Sequence, residues 1–224
     1  FFPNSFTARG HWEPGTRITA TDAAQDRMSP PTLHLASSSP RRAAILRRMG
    51  LEFSAGGADI DERPLAGERA EAMVLRLAAE KARAAACATG TVVIGADTAV
   101  VLDGRVFGKP VDEQDAIRML GMLSGRKHEV VTGVAVRSEC GVISVVTVTE
   151  VEFREIRPDE ALEYWQSGEP HDKAGAYAIQ GRAGDFVRSV SGSYTGVVGL
   201  PVFETAQLLR AAGIQPPAEL EDRL

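Results

Sequence analysis

Apolar residues along the chain recur at two spacings, and the switch between them marks out the elements. Leu33 to Ala36 reads as a short apolar strand, and Ala44, Ile45 and Met49 then follow helical spacing from Pro40 to a stop at Gly50. Phe53 to Ala55 is a second short strand. Residues 68–87 form a long helix with Val74, Leu77, Ala78 and Ala82 on one face and Thr89-Gly90 as its end. A β-branched run, Val92, Val93 and Ile94, passes through Gly95-Ala96 to a lone acid, Asp97. Ala99 to Leu102 then leads into Asp103-Gly104, a strong hairpin turn, before Val106 and Phe107. Asp112 caps a helix in which Ala116, Ile117, Leu120 and Leu123 share a face. Residues 129–137 and 142–153 alternate like two antiparallel strands. A helix runs from Pro158 through Trp165, and a last amphipathic helix covers Pro201 to Ala212.

Interleaved strands and helices with hairpins among them give an α/β class. The expectation is a mixed central sheet flanked by helices, in two lobes with a cleft between them. Residues 28–224 read as one domain. Residues 1–27 show neither period and read as a disordered N-terminal extension.

Composition narrows the function classes. The formal net charge of −5 over 224 residues argues against sequence-independent binding to nucleic acid. No apolar run reaches the length of a membrane span. Cys87 and Cys140 lack metal-ligand spacing and read as reduced thiols. The four histidines are scattered, so a bound metal would take oxygen ligands, which points to Mg²⁺ or Mn²⁺. P-loop, dinucleotide and nucleophile-elbow motifs are absent from the sequence.

Candidate chemistry sits at two junctions. Asp97 lies in an apolar strand, where a carboxylate costs free energy unless a cation or a reaction needs it. The hairpin beyond it returns Lys109 towards that carboxylate. Between strand and helix, Ser37-Ser38-Ser39-Pro40-Arg41-Arg42 crowds hydroxyls and guanidinium groups at a helix N-terminus, with Ser39 placed as N-cap. Such a terminus attracts anions, so this junction reads as a phosphate site. The acidic segment with Asp59, Asp61 and Glu62 is either a solvated turn or a metal-facing loop. Glu80-Lys81 has the look of an ordinary solvated pair. The stretch from Gly168 to Pro201, rich in glycine and hydroxyl residues, suits wrapping a ligand better than building a core.

Four separated segments, LASSSPRR (35–42), IGADTAV with FGKP (94–110), SGRKHEVVTGVAV (124–136) and GEPHDKAGAYAIQG (168–181), together resemble the Maf family of nucleoside triphosphate pyrophosphatases. The resemblance implies a fold related to inosine-triphosphate pyrophosphatases. It also implies metal-dependent hydrolysis of a nucleoside triphosphate to monophosphate and pyrophosphate, in the cytoplasm, by a homodimer. By the same resemblance Asp97 is the proton acceptor, and Ser37, Arg42, Lys81 and Lys109 surround the triphosphate. Glu62 joins Asp97 at the Mg²⁺ or Mn²⁺ ion. Arg41, Thr98 and Gln180 match the members acting on dTTP and UTP, and the sequence leaves open whether the substrate is a normal or a modified pyrimidine triphosphate. The rival reading is a non-catalytic nucleotide-sensing regulator of septum formation.

Overall fold

A computed structural model describes residues 32–217. The extension expected over residues 1–27 lies outside them. The strands are β1 (Leu33–Leu35), β2 (Ser54–Ala55), β3 (Val92–Leu102), β4 (Arg105–Phe107), β5 (Lys127–Ser138), β6 (Gly141–Phe153) and β7 (Val187–Ser191). The helices are α1 (Pro40–Arg48), α2 (Ala70–Ala84), α3 (Glu113–Leu123), α4 (Pro158–Gln166), α5 (Tyr194–Val198) and α6 (Val202–Ala211). No helix among the described residues is long and apolar enough to cross a membrane.

All seven strands join one mixed sheet in the order β2-β1-β3-β5-β6-β7, with β4 also paired to β3. β1 runs parallel to β2 and β3, as a strand–helix–strand connection requires, and the remaining pairs are antiparallel. The Asp103-Gly104 turn takes positive φ at both residues, 51° and 75°, the primed geometry that suits a tight hairpin.

The pairing of β3 creates the cleft. β5 covers one edge of β3 from Val93 to Val101. On the other edge β1 reaches only Val92 to Ile94, and β4 begins again at Val100. Gly95 to Ala99 therefore have no strand beside them on that edge. The two expected lobes are the two sides of this gap, joined by a continuous sheet. One packs β1, α1 and α6 around Leu35, Leu46, Ile94, Leu200 and Leu209. The other packs α3 and α4 around Leu120, Phe153, Tyr164 and Phe186.

Helix α2 lies across β3 and β5 unusually close to the sheet. A Cβ on Gly95 would meet the Ala78 carbonyl oxygen at 2.1 Å, and one on Gly133 would meet that of Val74 at 2.5 Å. Only glycine at both positions permits the approach. The stretch after Gly168 departs from expectation. It lines the cleft, but Ala176, Tyr177, Ile179, Ala183 and Phe186 are also core, and it contains β7 and α5.

Candidate active site

The gap in the sheet opens into a cavity of about 520 Å³ whose wall draws on both lobes and includes Ser37, Arg41, Arg42, Glu62, Lys81, Asp97, Thr98, Lys109 and Gln180. All nine residues singled out in the sequence therefore reach one cavity, from six separate parts of the chain. Asp97 and Thr98 are adjacent on β3 and point to opposite faces of the sheet. Both reach the cavity because the edge beside them is open.

On the α2 side, Lys81 is the organising cation. Its Nζ donates to Asp97 Oδ1 at 2.7 Å and lies 2.8 Å from Glu62 Oε1. The side chain is only 9% exposed, and that of Asp97 only 13%. The solvated Glu80-Lys81 pair expected from sequence is thus corrected at Lys81, whose charge is buried and must be paired. The lysine that meets Asp97 likewise comes from α2, while the hairpin leaves Lys109 exposed at the rim. A signal existed in the sequence. Lys81 sits four residues after Leu77 and three after Ala78, inside the buried stripe of its own helix.

The segment carrying Glu62 forms no regular element, and α2 pins it. Arg76 donates to both oxygens of Glu68 at 2.7 Å and to the Arg63 carbonyl at 3.3 Å. Hydrogen bonds from Arg76 hold the Glu68 carboxyl down at about 2. Burial pushes the Glu62 carboxyl up, but the hydrogen bond and charge of Lys81, with Lys109 and Arg42, outweigh it and leave it below its ordinary value. Glu62 is therefore an anion at neutral pH.

On the other side, the serine–arginine junction forms a second cationic centre. Arg42 donates to Gly199 O at 2.9 Å, to Ser37 Oγ at 3.2 Å and to Thr98 Oγ1 at 3.4 Å. Burial pushes its guanidinium down and the Asp97 carboxylate pulls it back up. Ser39 holds the N-cap position of α1 but makes no capping hydrogen bond, contrary to expectation; its N–H instead donates to Ser37 Oγ at 3.2 Å. No side chain of the described residues caps the first turn of α1, which leaves its amides and dipole for an anion. Thr98 also accepts from Thr132 at 3.1 Å, so it braces Arg42 and makes no bond to Gln180.

Three residues of the wall escaped the reading for site residues. Asp172 lies 3.8 Å from Arg41 across the cleft and pairs with Lys173 beside it, which holds the Asp172 carboxyl below its ordinary value. Tyr177 is hydrogen-bonded to His128 Nε2 at 2.9 Å. Burial pushes His128 down to about 4, so the ring is neutral at pH 7. Short sequence separation carries no trace of either contact.

The donor set fits one class of metal. Asp97 and Glu62 already share a cation, the Lys81 ammonium, and carboxylate oxygen suits Mg²⁺ or Mn²⁺. Among the described residues no group of three or more His, Cys, Asp or Glu gathers, so the protein offers no complete cage. Asp97 and Glu62 would supply one or two carboxylates to such a cation, with substrate oxygens and water completing its shell.

Carboxylates and cations facing each other across an open sheet edge define a site for a polyanion. The chain belongs to the Maf family, whose Maf-like protein description matches residues 32–212. A dTTP/UTP pyrophosphatase of Anaeromyxobacter dehalogenans (strain 2CP-C) is 53% identical over 193 residues, covering 84% of this chain and 98% of that protein. One from Hahella chejuensis is 51% identical over 187 residues, covering 82% of this chain and 93% of its own. Among solved structures, a HAM1 protein from Coxiella burnetii gives a TM-score of 0.47 at 20% identity, over 81% of this chain and 99% of that one.

Proposed function

We propose that this chain is a pyrophosphatase that hydrolyses dTTP and UTP to the monophosphate and pyrophosphate, with modified pyrimidine triphosphates within its range. The names of relatives about half identical over most of the chain support the activity. The observation that carries it here is the meeting of Lys81, Asp97 and Glu62 with Arg42 and Ser37 in one cavity.

In the reaction a water oxygen bonds to the α-phosphorus as the bond to the bridging oxygen breaks. Pyrophosphate leaves, and the water's proton passes to Asp97 on its way to solvent. Asp97 Oδ1 is held by Lys81, so the carboxylate is oriented before substrate arrives. Arg42, the free amides of α1 and Lys109 bind phosphate oxygens, with charge on the leaving pyrophosphate balanced by fixed donors. Asp97 and Glu62 would hold Mg²⁺ or Mn²⁺, which neutralises phosphate charge when bound. Arg41, Thr98 and Gln180 set the preference for uracil and thymine. A Gln amide can pair with an N3–H donor and a carbonyl acceptor at once. The same reading carries the homodimer and the cytoplasmic setting that the family resemblance implies.

The test is pyrophosphate release by purified protein with Mg²⁺ and UTP, dTTP, CTP, ATP or GTP. Turnover of UTP and dTTP well above the others is expected. Nucleotide binding without pyrophosphate release would favour the non-catalytic regulator.

A further inference from the structure

Gln180 is exposed at the cavity wall, and its side chain makes no hydrogen bond to the described residues. An amide free to turn over would serve cytosine as well as uracil. The backbone around it, however, is held from behind. Tyr164 of α4 is 2% exposed and packs edge-on against Phe186. Its Oη accepts from the Ala178 N–H at 3.0 Å and donates to Glu169 Oε1 at 2.7 Å. Glu169 Oε2 in turn accepts from the Arg182 N–H at 3.1 Å. The Gly181 N–H closes the turn onto Ala178 O at 3.0 Å. A Cβ on Gly181 would stand 2.3 Å from Glu169 Oε1, so the carboxylate lies directly against the turn.

The two clamped amides lie two residues before and two residues after Gln180. Neither Tyr164 nor Glu169 lines the cavity, whereas Tyr177 to Gln180 do. The clamp therefore acts on substrate only through the segment it holds. The Tyr164 hydroxyl is thereby satisfied both as donor and as acceptor, and Glu169 ties that hydroxyl to the backbone on the far side of the turn. Fixing the backbone lowers the ordering cost of placing the side chain it carries against a ligand.

We propose that Tyr164 and Glu169 are positioning residues for base selection, holding the backbone of Ala178–Arg182 so that Gln180 enters the cavity from one fixed place on its wall. This rests on the reading above that Gln180 contacts the base.

The test compares kcat/KM for UTP and CTP, together with hydrogen exchange of the 178–182 amides, in wild type and in Tyr164→Phe, Glu169→Gln, Gln180→Ala and Tyr164→Phe/Gln180→Ala. Tyr164→Phe removes only the hydroxyl, and Glu169→Gln keeps the shape but loses one acceptor. Each should lower the UTP-to-CTP ratio about tenfold, the loss expected when a hydrogen-bonding partner is misplaced. KM for UTP should rise more than kcat falls, with faster exchange at Ala178 or Arg182. In the Gln180→Ala background, Tyr164→Phe should leave the ratio where Gln180→Ala has put it. An unchanged ratio with lost amide protection would overturn the proposal, because the pair would then be purely structural. A further fall in the double variant would also overturn it. If Gln180→Ala itself leaves the ratio intact, the reading of Gln180 fails, and the clamp proposal with it.

Discussion

Lys81 offers the sharpest test of how the site is held together. Lys81→Met keeps the length of the side chain and most of its packing but removes the ammonium. Asp97, 13% exposed, is then left without its 2.7 Å partner, while Glu62, 56% exposed, can turn to water. Breaking a buried pair by removing one partner costs about 3–5 kcal/mol. Only one of the two carboxylates is stranded, and Arg42 still faces it, so the low end applies, about 3 kcal/mol. With a urea m-value of about 2 kcal/mol/M, the midpoint of unfolding should fall by about 1.5 M at neutral pH. Adding Asp97→Leu should recover part of the loss, because neither charge then remains. Urea titrations of the three proteins at pH 7.5 measure both effects. A single variant within about 0.5 kcal/mol of wild type at neutral pH would refute the reasoning. So would a double variant no more stable than Lys81→Met.

Asp97→Asn should lower kcat by about 10² or more, as loss of a general base does, without changing the circular dichroism spectrum; near-native kcat at saturating Mg²⁺ would remove Asp97 from the reaction. His128 is neutral in the fold down to about pH 4 while the unfolded ring protonates near 6.5. Stability is therefore full above pH 6.5 and drains as pH falls towards 4, by about 3 kcal/mol in all. His128→Asn should flatten the change between pH 6.5 and 5 in urea titrations; an unaltered slope would assign it to other groups. Gly133→Ala, whose methyl would lie 2.5 Å from the Val74 carbonyl oxygen, should cost about 1–3 kcal/mol and lower activity as α2 is pushed away from the sheet.

Much of this architecture was legible because local chemistry decides it. The Asp103-Gly104 turn, the stop at Gly50 and the stripe Val74, Leu77, Ala78 and Ala82 depend on neighbours within a few residues. The site residues were legible as a set through the resemblance, which supplied their company but no contacts. What escaped was decided by long-range packing. Lys81 lay in plain view on the buried stripe, yet its neighbour Glu80 made a solvated pair the simpler reading. Gly95 and Gly133 stand in strands where their role is visible only once α2 is laid over them. The brace from Tyr164 through Glu169 to Arg182 likewise depends on α4 meeting a turn that has no periodicity of its own.

The hydrogen bond from Arg42 to the Gly199 carbonyl joins residues 157 apart in the chain. The arginine at the head of the first helix takes its final position only when nearly the whole described chain has emerged and closed that loop. Closing so long a loop costs entropy that only the completed sheet and the burial of Leu200 can repay. A nascent chain or a fragment ending before α5 would carry Ser37, Arg42, Lys81 and Asp97 and still lack the carbonyl that holds Arg42 in place. During refolding, the return of activity should accordingly be among the last signals to recover.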